Sequence, residues 1–501
     1  DGVRLRLWGV NATGGGGLPA KERARVLAAL LAQRGINGIR FHMLDLAAPR
    51  GLIAAGDTSR SLDTNALDRL DYFIAQLKQR GIYADLNLNV GRRYRAGDGV
   101  RDYDLLGMAK AVTFFDERLL ELQREYARQL LTHVNPYTGK AYREEPAVAL
   151  VEFVNENSLI EAWFGNRLLG ENTRKNPDTW TDIPASYAQA LTDKYNVWLK
   201  QEYAAAVIER WHQSDHLPAG APIPRLRPAE FGKANPERFK AEARFYLAVE
   251  RAFYQGMAKF LREDLKVRAL LIGNSDHGHS KTGYPQLAGT SLLDVVDGHV
   301  YWQHPRYLND AASGKRAGFE INNTPMVDNP LHSTVVELSR SAFAGKPYIV
   351  SEVNHPFPAE SACEGIPILA AYAALQDWDG VFWYTLAHVD VTGTEPMALG
   401  HFDLAPDPVK MSQMAAGALM FLRGDVAKAQ QSVSRSYTPD QVIGSIRLSN
   451  SEAPFFTLGF PLALPLRHAV RIGTVEDRQS WNAASASPLR SDTGELSWYY
   501  D

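Results

Sequence analysis

Cysteine is nearly absent: Cys363 is the only one in 501 residues, which excludes an internal disulfide and any thiolate-rich metal cluster. Long apolar runs are absent too. The most apolar stretch, PFFTLGFPLALPL at 454–466, falls short of the roughly 20 residues of a membrane helix and is broken by Gly459, Pro461 and Pro465. Neither sign of charge dominates, with Lys+Arg 54 against Asp+Glu 57 and a formal net charge of -3. A nucleic-acid binder or membrane-surface protein working by bulk positive charge is thereby excluded. There is no internal repeat, low-complexity tract or signal-peptide pattern, and the numbering begins at Asp1 rather than Met; the expectation is a mature chain, secreted or periplasmic.

What is present is a core-forming composition, 45% hydrophobic and 22% charged, in a repeating pattern. Short β-branched runs at 5–10, 36–43, 83–89, 148–155, 269–273, 295–301, 348–353 and 380–386 read as strands. Amphipathic stretches separate them, clearest at 20–33, 65–80 and 117–133; the first two end before Gly35 and Gly81, a usual helix stop. Eight strands alternating with helices predict an α/β fold, the (β/α)8 TIM barrel, over residues 1–424. Residues 157–264 form a long excursion after strand four, with helical patterns at 187–212 and 236–262 around the Pro-rich joint LPAGAPIPRLRP. Its aromatic content (Trp163, Trp180, Tyr187, Trp198) predicts a structured wall of the cleft, because it leaves from the face where barrel substrate sites are built. Residues 425–501 read as a small β-sheet domain, with strands in SVSRSYT, VIGSIRLS, FFTLGF and AVRIG and no evident closing element. The Gly14–Gly17 run reads as a flexible loop near the cleft.

Two apolar strands end in a glutamate. VALVEFVNEN (148–157) places Glu156 at the mouth of strand four, and YIVSEVNHPFP (348–358) places Glu352 at the end of strand seven. A carboxylate there is costly unless paired, so each needs a reason; a cap or a salt bridge is the plain one. Two of them across one barrel mouth match glycoside hydrolysis, which needs one protonated and one ionised carboxyl about a sugar ring.

The order Asn-Glu ending strand four, Glu ending strand seven and Trp in strand eight resembles the clan A retaining glycoside hydrolases, the family 5-like cellulase and mannanase branch above all. GINGIRFHML resembles the clan's second strand, with Arg40 near the nucleophile; GIYADLNLN resembles the third and GHVYW the sixth, with His299 and Tyr301 in the site. GVFWY resembles the eighth, with Trp383 flooring the sugar site. Where many family 5 members carry a His at the end of strand three, this chain has Asn87 and Asn89. The resemblance implies Glu156 as general acid/base with a raised pKa and Glu352 as nucleophile, kept ionised by Arg40 and Tyr301. It implies Asn155 on the sugar 2-hydroxyl, retention of configuration, an oligo- or polysaccharide substrate, and no metal or organic cofactor.

Period-2 alternation adds that Arg40 and His42 share a face of strand two, His299 and Tyr301 a face of strand six, and Glu152 and Glu156 a face of strand four. Glu152 is then expected one layer below the acid, bonded to an inward cation. Trp302, Trp163 and Trp180 are candidate stacking platforms for sugar faces. Two rival readings stand beside this one. His277 and His279, in Asp-His-Gly-His after strand five, have a metal-ligand spacing and suggest a metal-dependent barrel hydrolase. A carbohydrate-binding barrel without turnover is the other, against which the intact glutamate pair speaks.

Overall fold

The computed structural model describes residues 3–177, 180–277, 283–309, 316–390, 400–446, 461–474 and 488–500. Eight parallel strands close into a barrel: β1 (Leu7–Thr13), β2 (Gly38–His42), β3 (Tyr83–Asn87), β4 (Val148–Glu152), β5 (Leu270–Asp276), β6 (Val295–Tyr301), β7 (Tyr348–Asn354) and β8 (Gly380–Trp383). Each strand pairs with its predecessor in sequence, and β8 returns to β1 with Leu7 opposite Gly380. All eight fall where the apolar runs predict them, with ends shifted by a few residues.

The helices follow from their caps. Asp63 accepts from the Ala66 amide to start α2 (Thr64–Lys78), after α1 (Lys21–Gln33), and Asp116 does the same for Leu119 at α3 (Glu117–Thr132). Gly35 and Gly81 sit at φ 73° and 70°, the left-handed turn that closes α1 and α2.

Inside the barrel, Leu7, Leu150, Ile272, Val295, Ile349 and Phe382 form an apolar plug at the end where the strands begin. The next inward side chains are polar. Strand β7 breaks its register between Ile349 and Glu352, so Ser351 and Glu352 both reach inward partners. Among the described residues no helix is long and apolar enough to cross a membrane.

Several expectations change. The excursion holds α4 (Leu159–Phe164), α5 (Ala185–Glu202), α6 (Ala205–Ser214) and α7 (Pro236–Lys259), so the expected 187–212 helix is two, parted at Tyr203 and Ala204. Gly14–Gly17 is a buried 3-10 turn instead of a flexible loop, and a Cβ at Gly16 would stand 2.2 Å from the Ala387 carbonyl oxygen. After α8 (Gly283–Thr290), α9 (Thr334–Ser339), α10 (Gly365–Leu375) and α11 (Pro408–Ala418), the expected strand VIGSIRLS is instead helix α12 (Pro439–Ser445) in its described part, because Thr438 and Gln441 make a capping box. SVSRSYT and AVRIG do supply strands, Ser432–Arg435 pairing in parallel with Ala469–Ile472; FFTLGF lies outside the described residues.

Candidate active site

The carboxyl ends of the strands open on a cleft of about 460 Å³. Arg40 on β2 is fully buried beneath it, where an isolated guanidinium would be very costly. It is held because all five of its N–H donors are used. Nε and Nη2 grip Glu152 at 2.7 and 2.9 Å, Nη1 reaches Asn11 at 2.9 Å and Glu352 Oε1 at 2.7 Å, and Nη2 reaches Asn155 Oδ1 at 2.7 Å. Glu152 is therefore the buried anchor of the inward cation, as alternation predicts.

Glu352 takes two strong donors. Arg40 holds Oε1, and the Tyr301 hydroxyl donates to Oε2 at 2.5 Å. Glu156 lies opposite, at the start of the excursion, in the left-handed region at φ 44°. That backbone is fixed from the β3–α3 loop, where Lys110 Nζ donates to the Glu156 carbonyl at 2.7 Å, and the Ala111 amide donates to Asn157 Oδ1 at 2.8 Å. Oxygens of Glu156 and Glu352 and a ring nitrogen of His299 lie within 4.8 Å of one another.

His299 joins the two. Its Nδ1–H donates to Glu156 Oε1 at 3.0 Å, and its Nε2–H to Ser351 Oγ at 2.7 Å, which donates in turn to Asp297 at 2.6 Å. Burial alone lowers the pKa of this imidazole, but Glu352, Asp297 and the Glu156 hydrogen bond outweigh it and raise it to about 10. The same contact acts on its partner. Burial pushes the Glu156 carboxyl up, yet the His299 hydrogen bond, His277 and Lys110 hold it well below the usual range. The expected raised pKa of Glu156 is thus reversed in the free protein: the proton rests on His299. The trio has the donor count of a cation site, but His299 is an imidazolium there and Arg40 and Lys110 already balance the carboxylates.

The structure brings Glu156, Glu352, Arg40, His42, Asn155, His299 and Tyr301 together and leaves three tryptophans out. Trp163 is 2% exposed, stacked on Phe239 at 5.0 Å with its indole N–H on the Leu226 carbonyl; it forms the core of the excursion, not a cleft wall. Trp302 is buried against His355 and donates to the Thr324 carbonyl. Trp383 points outward from the barrel, edge-on to Trp8 at 6.0 Å, because Phe382 belongs to the inner plug and neighbours on a strand alternate. The next residue, Tyr384, faces the cleft in its place.

Trp180 does line the cleft, with Lys110 Nζ 4.2 Å and the Arg167 guanidinium 4.3 Å from its ring centre. His277 has both ring nitrogens engaged, Nε2 with Glu161 at 2.6 Å and Nδ1 with the Ser275 carbonyl at 3.0 Å, leaving no lone pair for a metal; His279 lies outside the described residues. Lys110, Glu161, Tyr384 and His388 are cleft residues that the sequence reading did not single out. Only Tyr384 carried a signal, through the alternation of GVFWY.

No protein-family model matches the chain, and no curated protein matches it. Solved structures do. The endo-beta-1,4-mannanase from Thermotoga petrophila is 15% identical with a TM-score of 0.47, over 87% of this chain and 83% of its own. The beta-galactosidase from Bacillus circulans is 12% identical with a TM-score of 0.60, over 95% of this chain and 66% of its own. The beta-galactosidase from Rahnella is 12% identical with a TM-score of 0.59, over 95% of this chain and 65% of its own. At such identities the likeness to the two beta-galactosidases is one of fold, the (β/α)8 barrel.

Proposed function

We propose that the chain is a retaining glycoside hydrolase acting by double displacement. The observation that carries this reading is the carboxylate pair: oxygens of Glu156 and Glu352 within 4.8 Å of each other at the mouth of the barrel. Retaining enzymes keep their carboxyl groups about 5–5.5 Å apart, whereas inverting ones leave about 6.5–9.5 Å for a water. The names of the two similar beta-galactosidase structures agree with it.

In the first step Glu352 attacks the anomeric carbon while Glu156 protonates the departing oxygen, so the glycosidic bond breaks as a glycosyl ester forms. The proton reaches Glu156 from His299 Nδ1, 3.0 Å away. In the second step Glu156 takes a proton from water, whose oxygen attacks the same carbon and frees Glu352. Arg40 and Tyr301 hold Glu352 in place for attack, and Asn155, itself fixed by Arg40, bonds the sugar 2-hydroxyl. His42 and Tyr384 line the reacting subsite.

We also read residues 1–424 as the catalytic barrel with its 157–264 insertion, and 425–501 as an appended unit. We further read the protein as secreted or periplasmic, acting on an oligo- or polysaccharide.

Incubation with fluorinated mechanism-based glycosides followed by peptide mass spectrometry tests the proposal. One glycosyl unit on the peptide carrying Glu352 is expected. Labelling of another residue, or substrate binding without labelling or turnover across a broad panel, defeats it in favour of a carbohydrate-binding barrel.

A further inference from the structure

A second groove, of about 460 Å³, opens beside the cleft on the loops after β2 and β3. The two are continuous along the chain: Met43 and Val90 line the cleft, while Asp45, Leu46 and Gly91 line the groove. Three arginines also line it, Arg50, Arg93 and Arg95. Among the described residues none of the three has a carboxylate partner, whereas Arg4, Arg40, Arg60, Arg238 and Arg340 each do.

The loop is built to present them. In the run Arg92-Arg93-Tyr94-Arg95, Arg92 is buried and spent on Ser59 and the Leu122 carbonyl, and Tyr94 is buried beneath. Asp45, the groove's one carboxylate, is turned inward and takes the amides of Val90, Gly91 and Arg92. Arg93 is tethered to the Pro177 carbonyl by Nη1 alone, and Arg95 to the Ala54, Gly56 and Thr58 carbonyls by Nη1 alone. Their remaining guanidinium N–H groups, and the whole guanidinium of Arg50, make no bond to the described residues; the Arg50 backbone amide is spent on the Ala47 carbonyl at 3.1 Å. Forked donors without a counter-charge, in one groove, match a planar or tetrahedral oxyanion.

We propose that this groove is an anion-recognising subsite, and that the glycan bound in the cleft carries an anionic substituent, a carboxylate or a sulfate ester, on a unit distant from the bond that breaks. The inference rests on the glycosidase reading above. It goes further in placing the substrate among acidic glycans instead of neutral ones such as mannan.

Calorimetry on the full chain with turnover silenced by Glu352→Gln tests it, using a hexagalacturonide, a sulfated galactan hexasaccharide and neutral mannohexaose. One of the two acidic probes is expected to bind about ten-fold or more tighter than mannohexaose, an advantage that shrinks as salt rises. The probe that gains identifies carboxylate or sulfate. Arg50→Ala combined with Arg93→Ala removes the advantage, and Arg93→Lys, which keeps the charge and loses the fork, removes part of it. Melting curves confirm that each variant folds. Equal binding of all three probes, or an advantage that survives the double substitution, overturns the subsite. Labelling of Glu352 in the unsubstituted chain is read separately, so the subsite can fail while the catalytic reading stands, and the reverse.

Discussion

His299 Nδ1 and Glu156 Oε1 stand 3.0 Å apart, and the pair holds one proton on the histidine side. In the proposed mechanism the reactive form is the pair with that proton still present. Its loss follows the imidazolium, raised to about 10, so the alkaline limb of kcat/KM lies well above the carboxyl range. In His299→Asn the proton belongs to Glu156 alone. The alkaline limb is then expected to fall by about a unit or more toward the ordinary carboxyl value. Rate–pH profiles on an aryl glycoside with a poor leaving group check this; an unmoved limb removes His299 from the proton path.

Glu352 is the leading influence that raises the His299 pKa against burial. Glu352→Gln should therefore do two things at once. Turnover is lost with the proposed nucleophile, and the His299 pKa drops from about 10, which NMR titration of the imidazole reads directly. An abolished rate with an unchanged imidazole would break the link between the two residues.

Asp85, on β3, is fully buried beside Glu152 and Asp297, and among the described residues neither of its oxygens has a hydrogen-bond partner. Burial first, and then Glu152, push its pKa well above the usual value. A carboxyl raised in the folded state keeps a proton that the unfolded chain gives up. Stability therefore falls as pH climbs from the unfolded value, near 3.9, toward the folded one, by about 1.4 kcal/mol per pH unit. Asp85→Asn should raise the melting temperature at neutral pH, with a gain that fades toward pH about 4. Melting curves at several pH values check the trend; a gain independent of pH would mean the carboxyl is already ionised in the fold.

Most of the barrel was legible because each strand is a short apolar run closed by a turn signal, and that pattern is local. The polar floor was legible for the same reason: alternation puts Glu152 inside the barrel against an inward cation, though it does not say that the cation is Arg40. What escaped depends on partners far along the chain. Lys110 reaches the Glu156 carbonyl from the β3–α3 loop, and His388 pairs with Asp403 after β8; no spacing in the sequence announces either. The pKa of Glu156 escaped too, since its sign is decided by an imidazole 143 residues away. Trp163 was misplaced by reasoning from chain proximity to Glu156, when an aromatic so placed was free to turn into the excursion's own core.

That core makes Trp163 a stability residue. It touches Phe164, Phe231, Phe239 and Tyr246 at ring distances of 5.5, 4.6, 5.0 and 5.2 Å. Trp163→Ala should cost about 3–5 kcal/mol, the range for emptying a large aromatic site. Chemical denaturation measures it. The ratio of activity on long and short substrates should stay near that of the parent protein, and a selective loss on long ones would return Trp163 to the cleft.

Trp383 and Tyr384 are neighbours whose substitutions should separate cleanly. Trp383 packs outward on Trp8 and is 1% exposed, so Trp383→Ala is expected to lower stability by about 3–5 kcal/mol. Tyr384 turns inward, its ring 6.0 Å from Tyr301 and 5.8 Å from His42, with its hydroxyl 3.2 Å from His388 Nε2. His388 Nδ1–H is fixed on Asp403 at 2.9 Å, so Nε2 is the acceptor and the Tyr384 hydroxyl the donor. Removing only that hydroxyl, in Tyr384→Phe, keeps the ring and frees His388, itself a cleft residue, so KM is expected to rise only modestly, by no more than about five-fold. If the ring meets the sugar as proposed, Tyr384→Ala also removes that contact and should add about 0.5–1.5 kcal/mol to the loss in kcat/KM. Both Tyr384 variants should melt close to the parent protein. If Tyr384→Ala instead unfolds as readily as Trp383→Ala, the inner and outer faces of β8 have been exchanged, and the tryptophan is the residue that meets the sugar.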